Sequence, residues 1–258
     1  MPLVCFTSPK GGVGRTTLCA TVGVALHRLG WRVLAIDLDR QNALRLNFEL
    51  PDELRGVADE IDSGRDWNEL AVETPTGIFL IPFGAVSAAN VMRTHTHVAQ
   101  NSGWLRQRLT PFIEQRDLVV VVDMPPGPSA FNVELDPLAD LHVLVLLADA
   151  MSLAVLPKLQ HGDFLLSGAA ERAPQIGYVL NQVDPRRQLC RDVLALSRDV
   201  LGQALYGMVH QDEAVAEAAA CQLTVLDYAP DSGANDDITA IAQRIHASLG
   251  AHASLAPI

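Results

Sequence analysis

The chain has 258 residues, 49% of them hydrophobic and 19% charged, which is ample apolar surface for one continuous core and leaves no disorder signature over most of its length. Thirty acidic residues against nineteen basic ones give a formal net charge of −11, a balance that argues against non-specific nucleic-acid binding, since phosphate neutralisation needs clustered Lys and Arg. The four cysteines, Cys5, Cys19, Cys190 and Cys221, are widely spaced and form no CxxC pair, so neither a zinc site nor a disulfide framework is indicated, and a reduced, cytoplasmic setting is expected.

In chain order, short runs rich in β-branched or apolar residues predict buried strands at Leu3–Thr7, Arg32–Asp37, 78–82, Leu118–Asp123, 142–148 and 175–181. No basic segment precedes the first run, which passes straight into a glycine loop, so it reads as a core strand and not as a signal peptide. Helix-period segments at residues 16–29, 103–115, 154–170 and 189–201 are each long enough to cross over a parallel sheet. The alternation predicts an α/β class fold: a doubly wound, mostly parallel sheet with helices on both faces, in one domain over residues 1–250 and a fraying tail over 251–258. The polar stretch 47–76, with Pro51, Gly56, Gly64 and Pro75, is expected to be a surface excursion and a candidate partner surface. The apolar stretch 138–159 is interrupted by Asp140, His142, Asp149 and Pro157, against the ~20 apolar residues a bilayer span requires. The last helix, expected over residues 236–249, places Ile238, Ile241 and Ile245 at core spacing and lacks the character of a membrane anchor.

The strongest chemical signal is Lys10-Gly11-Gly12-Val13-Gly14-Arg15-Thr16-Thr17, between the first strand and the first helix. Glycines there let backbone N–H groups turn inward around phosphates, the helix presents its positive end, and Thr16 offers a hydroxyl to Mg²⁺. After the second strand comes Asp37-Leu38-Asp39-Arg40-Gln41, where a carboxylate is suited to orient water or take its proton. The strand Leu118–Asp123 runs through four valines into Asp123-Met124-Pro125-Pro126-Gly127, a carboxylate at the carboxyl edge of a sheet followed by a turn.

These three motifs, in this order, resemble the ParA/MinD superfamily of P-loop ATPases with a deviant Walker A sequence, KGGxGK[ST]. The resemblance implies ATP and Mg²⁺ as cofactors, bound across the two-fold axis of an ATP-sandwich homodimer. In it Lys10, one of only two lysines against seventeen arginines, reaches the partner's phosphates. It further implies a phosphate cradle of Gly11, Gly12, Val13, Gly14, Arg15, Thr16 and Thr17, with Lys10, Arg15 and Asp39 in catalysis. Thr16, Asp39 and Asp123 would then face the metal, Gly127 would sense the γ-phosphate, Asn181 would read adenine, and His210 and Asp212 would flank the base. The departure is Arg15, where the family has its ordinary P-loop lysine. A planar guanidinium keeps the charge but not the compact geometry of an ammonium, so ATP binding with slow turnover is expected.

Within the superfamily the chain is most similar to the cellulose synthase accessory ATPases, the BcsQ family. The stretches are Asn42-Ala43-Leu44-Arg45-Leu46-Asn47-Phe48, Asp66-Trp67, Leu80-Ile81-Pro82-Phe83-Gly84 and His210-Gln211-Asp212-Glu213-Ala214-Val215-Ala216-Glu217. That resemblance implies a cytoplasmic protein recruited to the inner-membrane cellulose synthase complex, with accessory subunits as partners and membrane association only through them. A ParA/MinD-like role in DNA segregation or division positioning is the rival. An iron–sulfur Fe-protein is disfavoured, because no cysteine falls between Cys19 and Cys190. His95 and His97 lack companion ligands and are expected at the surface. Arg187, Arg191 and Arg198 share one helix face, diluted by Asp192 and Asp199, and read as solvated.

Overall fold

The computed structural model describes residues 2–160 and 174–253. Eight strands, β1 Leu3–Thr7, β2 Arg32–Asp37, β3 Val72–Glu73, β4 Phe79–Ile81, β5 Leu118–Asp123, β6 Leu141–Leu147, β7 Gln175–Val183 and β8 Leu205–His210, form one sheet in the order β3-β4-β2-β5-β1-β6-β7-β8. All pairings are parallel except β3 with β4, so the predicted doubly wound sheet is found with one short antiparallel edge. The helices are α1 Arg15–Arg28, α2 Ala88–Gln100, α3 Trp104–Ile113, α4 Ala130–Leu135, α5 Ala150–Gln160, α6 Gln188–Leu201, α7 Glu213–Ala220, α8 Val225–Tyr228 and α9 Gly233–Ala253.

The central strands are apolar on both faces because helices cover both, and alternate residues of one strand feed different cores. Val4, Phe6, Val33, Ala35, Val119 and Val121 pack with α1 and with Ile238, Ile241 and Ile245 of α9. Leu3, Cys5, Leu34, Ile36, Val120 and Val122 pack against α3 and α4 through Leu105, Leu109, Phe131 and Leu135. A third cluster joins Leu144, Leu146 and Leu180 to Cys190 and Val193 of α6.

Residues 47–76 differ from their expectation as a surface excursion. Val57, Ala58, Ile61, Trp67 and Leu70 are buried in the second core, and Trp67 stacks edge-on with Trp104 at 5.6 Å. Their apolar side chains are too sparse to show a period, yet each of the larger buried ones contributes roughly 1.5–3 kcal/mol of transfer free energy, enough to fold the segment onto α3. His95 and His97 lie at the surface half-buried, ring-packed on Phe131 and Trp104 respectively. Arg187, Arg191 and Arg198 are exposed. Only part of the predicted helix 154–170 lies within the described residues, where α5 starts earlier, at Ala150. No helix among the described residues is long and apolar enough to cross a membrane.

Candidate nucleotide site

The carboxyl ends of β1, β2 and β5 converge where the chain leaves the sheet to either side of β1, which is the place where open α/β sheets bind ligands. The loop after β1 enters α1 through Gly14, whose left-handed φ of 83° stops the extended chain and turns it into the helix. The Asn181 amide approaches Gly14 so closely that a β-carbon there would collide with it. Gly12, with φ of 74°, and Gly11 face open space, so this loop borders a cavity of about 200 Å³ lined also by Ser8, Thr16, Asp39, Gln41 and Pro126.

Side chains from all three motifs meet at and just behind the cavity wall. Arg15 is only 6% exposed, and its Nε donates to Asp123 Oδ1 at 2.6 Å, its Nη2 to Asp39 Oδ2 at 2.7 Å and its Nη1 to Ser8 Oγ at 3.2 Å. Thr16 Oγ1 donates to the other oxygen of Asp123 at 2.7 Å. Asp39 Oδ1 accepts the Gln41 N–H, and Asp37, buried beside Asp123, accepts the N–H groups of Asp39 and Leu44. Burial opposes the charge of Arg15, but Asp123 and Asp39 more than offset it and hold the guanidinium pKa above its ordinary value. Burial raises the Asp123 carboxyl, with Arg15 and Thr16 pulling it back; Asp37, equally buried and repelled by Asp123, rises well above the usual carboxylate range against the opposing N–H bonds of Leu44 and Asp39.

Lys10 lies at the mouth, half-exposed, with Nζ 2.6 Å from Asp149 Oδ2. The other oxygen of Asp149 caps α5 through the Ser152 N–H; burial pushes its pKa up, but Lys10 first and the Ser152 N–H second hold it below the ordinary value. The Gly127 N–H donates to the Ser8 carbonyl at 2.9 Å, tying the loop after β5 to the loop after β1. Thr17 continues α1.

The remaining predicted residues stand apart from that cavity. Asn181, at the end of β7, donates from Nδ2 to the Val13 carbonyl at 2.8 Å and so braces the glycine loop from behind. Asp212 caps α7 through the Ala214 N–H, as its position before a helix predicts, and also reaches the Ala234 N–H of α9. His210 pairs through Nδ1 with Asp237 at 2.7 Å.

Sequence reasoning missed Ser8 and Asp149. Asp149 was findable: an Asp directly after an apolar strand with Ser three residues on is a helix-start signal. It also missed α2, which with Pro125, Pro126 and Pro128 walls a wider groove of about 780 Å³ adjoining the cavity at Asp39 and Gln41.

This geometry, a glycine loop between the central strand β1 and its helix with carboxylates at the ends of β5 and β2, the adjacent strands on one flank of β1, defines a P-loop protein of the MinD/ParA fold. The same fold is found in the septum site-determining protein MinD from Pyrococcus horikoshii, solved with Mg-ADP, at TM-score 0.77 and 20% identity over 97% of this chain and 98% of that one. A ParA family ATPase from Chlorobium tepidum aligns at TM-score 0.73 and 20% identity over 94% and 97% of the two chains. A family model described as "Cellulose biosynthesis protein BcsQ" matches residues 1–245, and the chain belongs to that family. It is 27% identical to the cellulose biosynthesis protein BcsQ of Escherichia coli K12 over 246 residues, 94% of this chain and 93% of that one. A virulence plasmid ParA family protein of Chlamydia muridarum is also 27% identical, over 95% of this chain and 92% of its own length.

Proposed function

We propose that this protein is an ATP-dependent dimeric switch that serves assembly, localisation or activity of a cellulose synthase complex at the cytoplasmic face of the membrane. The observation that carries the reading is the glycine loop at the head of α1 with Arg15 and Thr16 gathered on Asp123 and Asp39. Family membership supplies the pathway, and accessory subunits of the synthase are the expected partners. Direct nucleic-acid contact is no part of the proposal, in keeping with the net charge of −11.

The backbone of residues 11–16 and the amino end of α1 receive the phosphates, where N–H groups and the helix dipole favour anions. Gly11 and Gly12 border open space, so nothing in the loop obstructs a phosphate chain. Thr16 and Asp123 have the donor types Mg²⁺ prefers and already touch, so they fit the ion, which when bound would neutralise charge between the phosphates. Asp39 orients the attacking water, and Arg15, a fork where a compact ammonium is usual, slows turnover. Lys10 gives up Asp149 to contact the nucleotide of a second protomer, a modest loss for a half-exposed pair. Asn181, His210 and Asp212 shape the base side of the site by bracing the loop and the starts of α7 and α9.

Molar mass by light scattering, with and without ATP–Mg²⁺, on wild type and Lys10→Ala, tests this directly. A mass that doubles only with ATP in the wild type and not in the variant, accompanied by slow phosphate release, is the expected result. Equal mass in every condition for both proteins overturns the switch.

A further inference from the structure

Every oxygen of the carboxylates assigned to metal and water already accepts a hydrogen bond. Asp123 gives one oxygen to Arg15 Nε and the other to Thr16, while Asp39 gives one to Arg15 Nη2 and the other to the Gln41 N–H. Arg15 is the cation that bridges them, buried, and steadied by Ser8. Only a fork can do this, because its Nε and Nη2 meet two different carboxylates at 2.6 and 2.7 Å, where a single ammonium would satisfy one well and leave the other exposed.

We infer that Arg15 is a resident counter-cation of the Asp39–Asp123 cluster: in the nucleotide-free protein it excludes divalent metal, and metal enters only once a phosphate has drawn the guanidinium away. The inference rests on the nucleotide-binding reading. It makes the site sequential. Phosphate at the glycine loop offers Arg15 an alternative anion within the same cavity, and its departure uncovers Asp39 and Asp123 together. Since Asp39 follows β2 and Asp123 ends β5, the same guanidinium also clips the loop after β2 to the end of β5, and its release frees that loop. A metal arriving first meets a buried positive charge and carboxylate oxygens that each already hold a hydrogen-bond donor. A unit positive charge held against both carboxylates in a buried site suppresses cation affinity by about two orders of magnitude or more.

The test is Mn²⁺ binding to nucleotide-free protein, read from the loss of the free-ion electron paramagnetic resonance signal. Wild type is compared with Arg15→Lys and Arg15→Gln, and each fold is checked by circular dichroism. The wild type is expected to leave the signal unchanged. Arg15→Lys, which leaves one carboxylate uncovered, is expected to bind about tenfold more tightly, and the neutral Arg15→Gln more tightly still. Mn²⁺ binding by the nucleotide-free wild type overturns the inference, whether or not the variants fold. Silence from all three folded proteins also overturns it, because the cluster would then lack metal affinity for reasons other than Arg15. A parallel calorimetric titration of the wild type with ATP separates the two readings: failure to bind ATP removes the proposed function, whereas ATP binding with no Arg15 effect removes the counter-cation alone.

Discussion

The two sides of the β1 loop use their polar residues in opposite ways. On the phosphate side, Arg15, Asp39, Asp123 and Thr16 satisfy one another across β1, β2 and β5, in pairs that a charged ligand can exchange. On the side of β7 and β8, Asn181, Asp212 and His210 are spent on the protein's own backbone and on Asp237. The first group is a store of charge held ready and the second is scaffolding. Both carry motif residues, so a motif names a position without saying which of these duties it performs.

The largest expected effect is on the phosphate side. Arg15→Ala leaves a cluster of buried carboxylates without its cation and is expected to lower unfolding free energy by about 3–5 kcal/mol in the absence of nucleotide and metal. Urea unfolding of wild type and variant checks it; a change below about 1 kcal/mol would mean the cluster is wetter or more protonated than its burial implies.

His142, on β6 between the two sides, comes next. Its ring is 1% exposed, and burial pushes its pKa from 6.5 down to about 4, while Asp136 at 3.4 Å is too distant for a good hydrogen bond. The folded state therefore refuses a proton that the unfolded chain accepts. The stability this gives is complete above about pH 6.5 and is lost as pH falls toward 4, by about 2 kcal/mol between about pH 7.5 and pH 5. Asp37 runs the other way: its raised pKa means the folded state holds a proton longer, so its contribution falls as pH rises above the unfolded carboxylate value. His142→Leu is expected to remove the acid-side loss and leave the opposite slope, measured as urea midpoints across that range.

Smaller effects separate scaffold from charge store. Asp212→Ala removes the cap of α7 and its link to Ala234, an expected loss of about 1–2 kcal/mol whether or not nucleotide is present. Lys10→Ala breaks only a half-exposed pair and is expected to cost less than about 1 kcal/mol by the same unfolding assay. A large loss in Lys10→Ala, or a nucleotide-dependent one in Asp212→Ala, would blur the distinction between the two sides.

Much of this was legible in the chain. Three strands, Leu3–Thr7, Arg32–Asp37 and Leu118–Asp123, were bounded correctly because a run buried on both faces is unbroken in hydropathy and ends where the polar loop begins. The short elements were not: β3 has two residues and α8 four, and neither length displays a period. The packing of residues 47–76 was missed for a related reason, since Val57, Ile61 and Trp67 are buried by contact with α3 and not by any rhythm of their own.

Local chemistry therefore dictates the strand and helix alternation, the glycine loop and the class of ligand it suits, because backbone preference and hydrophobic period act over a few residues. Pairing is another matter. Arg15 meets Asp123 across 108 positions, Lys10 meets Asp149 across 139 and Asn181 meets Val13 across 168. Those partners are fixed by the order in which parallel strands lie in the sheet, which depends on burying both faces at once and leaves no trace in any short stretch of the chain.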